Sequence, residues 1–137
     1  MSASKITVQT IVNAELKKVW EYYTSPTHIT QWNFADPSWH CPSAENDMRV
    51  GGTYKARMEA KDGSFGFDFE AKYNDVKLED EFSYAFGDRS STVKFNNLDG
   101  KTEVIVIFDP DKENSIDMQK EGWQAILNNF KTYTETN

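Results

Sequence analysis

Phe65-Gly66-Phe67-Asp68-Phe69-Glu70-Ala71-Lys72-Tyr73 sets an apolar side chain against a glycine or a charged one at every step. Successive side chains of a strand point to opposite faces, so this spacing predicts a β-strand with one apolar and one charged side. Immediately before it, Asp62-Gly63 is a hairpin turn signal. Across that turn, Tyr54, Ala56 and Met58 alternate with Lys55, Arg57 and Glu59. Downstream, Phe82, Tyr84 and Phe86 repeat the pattern as far as Gly87-Asp88. Residues 92–95 form a further strand, and Asp99-Gly100 turns tightly into Thr102–Phe108. Five strands joined by short turns read as an antiparallel meander. In this register Arg57, Asp68 and Glu70 fall on the outer face, and a one-residue bulge would reverse that.

Towards the N-terminus, Ile6, Val8, Thr10 and Val12 share one face of a sixth strand. Leu16, Val19, Trp20 and Tyr23 then recur at helical spacing, with Asn13 as a plausible cap. Ser25-Pro26 restarts the chain into a short second helix to about Gln31, with Ser25 as cap and Pro26 at the first helical position. Residues 33–49 show no clean period and contain Pro37 and Pro42 among aromatics, so they read as a loop with buried rings. After Asp109-Pro110, either Asn114 or Ser115 caps a last helix of about 20 residues. Ile116, Trp123, Ile126, Leu127, Phe130 and Tyr133 form its apolar stripe. The predicted fold is therefore α+β of the helix-grip type. A curved six-stranded antiparallel sheet wraps a long C-terminal helix, with two short helices after the first strand.

Composition limits the partners. A length of 137 residues suits one domain, and 38% hydrophobic residues suffice for one core. The net charge of −7 argues against nucleic acid, whose phosphates reward clustered cations. Anionic membrane surfaces are disfavoured for the same reason, and no apolar run reaches the roughly 20 residues of a membrane span. The first five residues lack the apolar core of a secretory leader. Cys41 is the single cysteine, which excludes an intrachain disulfide. The expectation is a cytoplasmic protein.

In their order and spacing, several local strings resemble a known family. Val19-Trp20 is followed by Tyr23-Thr24-Ser25-Pro26 and Trp32; Gly51-Gly52-Thr53-Tyr54 opens a strand. Asp99-Gly100-Lys101-Thr102 turns between the last two strands, and Gly122-Trp123 with Leu127 sits on the last helix. With these the chain resembles the START-like, or Bet v 1-like (SRPBCC), superfamily. Within it, the chain is similar to the family named after the C-terminal domain of the activator of the heat-shock protein 90 ATPase. The resemblance implies a deep cavity between sheet and helix, and members that bind lipids, polyketides or other apolar molecules. It implies no shared catalytic signature. The namesake co-chaperone also has a separate N-terminal domain with no counterpart in this sequence.

The candidate site follows from the faces. Tyr54, Met58, Phe65, Phe67, Phe69, Tyr84, Phe86, Phe95, Trp123, Leu127 and Phe130 are expected between sheet and helix. They form either a solid core or a partly hollow, ligand-sized pocket. Trp32, Phe34 and Trp39 are expected at its entrance, with His40 either at the mouth or half-buried in the loop. Gly122, costly in mid-helix, points to a packing or access reason, or to close approach of helix and sheet. A metal site is disfavoured, because His40-Cys41 has only His28 to join it. Gly51-Gly52 lacks the Lys-Ser/Thr of a phosphate loop and reads as a strand-entry turn. Asp109, Asp111 and Glu113 lack calcium-loop spacing. No cofactor is implied. The leading functional expectation is binding of a small apolar molecule. One alternative is a cyclase or dehydratase in which Tyr54, Tyr84 and His40 protonate a carbonyl. The other is a chaperone-associated interaction domain using the outer sheet face.

Overall fold

A computed structural model describes residues 5–137; the leader expectation rested largely on residues 1–4, which lie outside them. The elements run β1 (Ile6–Val12), α1 (Leu16–Thr24), α2 (Pro26–Trp32), β2 (Trp39–Asn46), β3 (Thr53–Ala60) and β4 (Gly66–Lys77). They continue with β5 (Glu81–Phe86), β6 (Arg89–Asn97), β7 (Thr102–Phe108) and α3 (Ile116–Thr136). The strands form one curled antiparallel sheet in the order β1-β7-β6-β5-β4-β3-β2. Apart from the two helices that separate β1 from β2, and the pairing of β1 with β7, it is a meander of neighbours.

The alternating stretches form strands where the sequence places them. Arg57 lies opposite Asp68 and Lys55 opposite Glu70 in the β3–β4 ladder, and both pairs approach across the outer face at 3.6 and 3.8 Å. Between β6 and β7, Asp99 and Gly100 both take positive φ, 59° and 95°, the two-residue turn that matches strand twist. Gly52 is required for a different reason. A Cβ there would stand 2.2 Å from the Asp47 carbonyl oxygen.

The sheet has seven strands, not six. Residues 39–46 form β2, an edge strand, rather than part of a loop. Its ladder with β3 slips between His40 and Ser43, and Pro42 sits in that irregularity. The bulge re-aims the side chains, and Cys41 is the one fully buried residue of the strand, so no period-2 signal survives.

One capping expectation also changes. Glu15, not Asn13, holds the N-cap position of α1, and the Asn13 amide donates to Glu135 Oε2 at 2.7 Å. Ser25 holds the N-cap position of α2 as expected, without a side-chain cap bond and with its own amide bonded to the Glu21 carbonyl, and Pro26 opens α2. For α3, Ser115 is the cap, its hydroxyl accepting the Met118 amide at 3.1 Å. Ile116 leaves the apolar stripe and is exposed. The buried polar residue at that end is Gln119, whose amide group bonds the Asp111 amide and the Asn114 carbonyl.

Helix α3 packs chiefly against β1 within the curl of the sheet, and Trp123 stacks flat on Phe108 at 3.8 Å between ring centres. Phe130 is fully buried between Tyr23 and Trp32, at 4.9 and 5.0 Å. Among the described residues no helix is long and apolar enough to cross a membrane.

Candidate functional site

Beside this packing, between α3 and the sheet, lies a cavity of about 210 Å³. Helix α3 contributes Trp123, Ile126 and Leu127; α1 contributes Tyr23 and Thr24, and α2 contributes Trp32. The sheet contributes Tyr54 and Met58 from β3, Phe67, Phe69 and Tyr73 from β4, Phe82 and Tyr84 from β5, and Val106 from β7. Asn33 and Asn46 complete the lining, which contains no charged side chain.

Local sequence explains why these groups converge. Period-2 spacing on β3, β4 and β5 turns Tyr54, Met58, Phe67, Phe69, Tyr73, Phe82 and Tyr84 to one face. The β4 ladder slips between Tyr73 and Asp75, but upstream of that point the register runs unbroken from Gly66 to Lys72. Tyr54 and Tyr84 rings lie 5.7 Å apart, and Tyr73 and Tyr84 rings 5.8 Å.

The polar atoms divide into two sets. Asn33 Nδ2 donates to the Tyr54 hydroxyl at 3.3 Å, the Tyr73 hydroxyl donates to Asn46 Oδ1 at 2.5 Å, and Asn46 Nδ2 donates to the Thr24 carbonyl at 2.7 Å. The Tyr23 and Tyr84 hydroxyls have no hydrogen-bond partner among the described residues. Loss of water raises the pKa of Tyr23, Tyr54, Tyr73 and Tyr84, and mutual repulsion of the phenolates adds to it for the first three. All four phenols are therefore held neutral.

Eight of the expected site residues reach the cavity: Trp32, Tyr54, Met58, Phe67, Phe69, Tyr84, Trp123 and Leu127. The others do not line it. Phe95 packs against Trp20 and Tyr23, and Phe130 is fully buried behind the lining residues Tyr23 and Trp32. Phe86 lies at the rim between Phe69 and Trp123, with the Arg89 guanidinium over its face. Phe34 is half-buried, and its carbonyl accepts from Asn129. Phe65, at 60% exposure, and Trp39 do not line the cavity; Trp39 packs edge-on against Phe65 and Phe67, and Phe65 is tilted against Phe67. His40 is paired with Glu59 across the ladder, its Nε2 3.6 Å from Glu59 Oε1, and Glu59 also accepts from Arg57 of the outer face. It does not stand at the mouth, because neighbours on a strand point apart and Cys41 takes the inward position.

The sequence reading missed Tyr23, Thr24, Asn33, Asn46, Tyr73, Phe82, Val106 and Ile126 as site residues. Tyr73, Phe82 and Ile126 carry the same periodic signal as the residues it chose. Asn33 and Asn46 carry none, since each lies where the pattern breaks. Close approach does not explain Gly122, because a Cβ there meets nothing within 4 Å. No group of three or more His, Cys, Asp or Glu among the described residues could hold a metal ion.

Comparison with known proteins bears on family. The model of the Activator of Hsp90 ATPase homolog 1-like protein family matches residues 13–135. The solution structure of an AHSA1-like protein from Aeromonas hydrophila is 36% identical, with TM-score 0.90 over 96% of this chain and 92% of that one. A solution structure from Cytophaga hutchinsonii is 46% identical, with TM-score 0.84 over 98% and 94% of the two chains. A crystal structure from Chromobacterium violaceum is similar in fold alone, at 19% identity and TM-score 0.86 over 98% and 100%. None of the curated proteins compared matches. With a family model spanning nearly the whole sequence and two such relatives at full length, the chain belongs to the Activator of Hsp90 ATPase homolog 1-like protein family, within the SRPBCC, or Bet v 1-like, superfamily.

Proposed function

We propose that the protein binds a small, mostly apolar molecule in the cavity between the sheet and α3. One observation carries this reading: an aromatic-walled pocket of about 210 Å³ lies between the sheet and α3. Protein interiors leave few voids larger than a water molecule, so a space of this size is unusual. A cavity of about 150 Å³ lined by apolar side chains holds a benzene. The space here therefore suits one or two fused rings or a short branched chain, below the usual range of about 300–1,000 Å³ for drug-sized ligands. Burial of apolar surface at about 25 cal/mol per Å² supplies the driving force. The family membership supports the reading, and Cys41 as a free thiol fits a reducing, cytoplasmic setting that belongs to the same proposal.

The cyclase-type alternative has less behind it. His40 is turned to the outer face, and the neutral phenols offer no base near pH 7.

Trp32 and Trp123 both line the space, so an entering ligand alters tryptophan emission. Saturable quenching by naphthalene is expected for the wild-type protein. Ile126→Phe, which fills the space, is expected to weaken that binding at least tenfold while the protein stays folded. Absence of saturable binding by the wild type, together with native mass spectra of cell-derived protein free of any small molecule, overturns the reading.

A further inference from the structure

The lining is apolar but not featureless. Tyr84 is only 7% exposed, on β5 in the middle of the cavity wall, and its hydroxyl has no partner in the protein. Tyr23, from α1, offers a second unpartnered hydroxyl on the lining of the same cavity. Of the other two tyrosines, Tyr73 donates its proton to Asn46, whereas Tyr54 accepts from Asn33 and keeps its own O–H proton free. Buried polar groups in native proteins are nearly always hydrogen-bonded. A hydroxyl that finds no protein partner takes one from whatever enters the cavity, water or a ligand oxygen.

Charge decides what kind of oxygen that is. No Lys, Arg or His lines the cavity, and no Asp or Glu does either. The titratable groups facing it are the four tyrosines, with the Cys41 thiol acting on Tyr54 from the β2 edge. An ionised carboxylate entering this space would exchange water for aromatic rings and the hydroxyl donors of Tyr23, Tyr54 and Tyr84, with no cation to offset the loss. A ketone, an alcohol or an un-ionised acid meets no such cost.

The geometry points to a neutral ligand carrying one hydrogen-bonding oxygen, held by the Tyr84 and Tyr23 hydroxyls, with ionised acids of the same skeleton rejected. This rests on the binding reading above and specifies its ligand class.

Three probes with one carbon skeleton separate the two claims: naphthalene, naphthyl methyl ketone and naphthoate, each titrated against the full chain at pH 7 and followed by tryptophan quenching. The ketone is expected to bind about two- to tenfold more tightly than naphthalene, the range of one net hydrogen bond. Naphthoate is expected to bind weakest, its affinity falling tenfold per pH unit above its own pKa, as only the neutral acid enters. Tyr84→Phe is expected to abolish the ketone's advantage over naphthalene, the ratio of the two affinities being the readout, while urea unfolding reports that the variant is folded. Tyr23→Phe gives the same readout if Tyr84→Phe does not fold. Naphthoate binding as tightly as the ketone, or a ketone advantage that survives both substitutions, overturns the inference while leaving the apolar binding reading in place. Failure of all three probes on the wild type overturns both.

Discussion

At the scale of single residues, two glycines have opposite consequences. Gly52 is hemmed in by backbone, with the Asp47 carbonyl 2.2 Å from where a Cβ would be. Gly52→Ala is expected to cost about 1–3 kcal/mol or more, because backbone cannot step aside as a flexible side chain can. Gly122 lies within α3 with nothing within 4 Å of that position. Gly122→Ala is expected to stabilise the protein by about 1 kcal/mol, the difference in helix propensity. Urea unfolding of both variants checks the pair. Equal destabilisation would mean that Gly122 meets a constraint absent from the static packing.

At the scale of elements, the same rings have different worth according to where α3 passes. Phe130 of α3 is wholly buried, whereas Phe67 of β4 is 43% exposed although it belongs to the best alternating stretch in the chain. Phe130→Ala is expected to destabilise by about 3–5 kcal/mol, combining lost transfer energy with the void left behind. Phe67→Ala is expected to cost only about 1 kcal/mol, in proportion to its partial burial, while altering ligand uptake at the cavity lip. Chevron or equilibrium denaturation separates the two. A Phe67→Ala loss as large as that of Phe130→Ala would show that the aromatic lip of Trp39, Phe65 and Phe67 is part of the core.

At the scale of the whole molecule, four tyrosines buried around one space make stability depend on pH in the alkaline range. Burial raises the folded pKa of Tyr23, Tyr54, Tyr73 and Tyr84 above the unfolded value of about 10. Below that value both states hold the protons and the contribution is constant. Above it the unfolded chain releases protons that the folded one retains, so stability falls as pH rises past about 10. Urea midpoints measured between pH 8 and pH 11 are expected to drop above pH 10, and less steeply for Tyr84→Phe. A flat profile would mean that the phenols reach water more freely than their burial implies.

Much of this architecture was legible in the amino-acid order. Alternation needs only the local geometry of a strand, so β1, β3, β4, β5, β6 and β7 and the outward set of Arg57, Asp68 and Glu70 could be read directly. So could α3, from its apolar stripe. What sequence periodicity reports is which face a side chain takes, not what stands opposite it. Tertiary structure alone decided that β2 is a strand, since a bulge at Pro42 erases the period, and that His40 faces outward with Glu59. It also decided where the inward face is sealed by α3 and where it is left open, which separates Phe95 and Phe130 in the core from Tyr73, Phe82 and Ile126 at the cavity. The physical reason is that a cavity is a mismatch between two curved surfaces brought together from distant parts of the chain. No local spacing encodes such a mismatch.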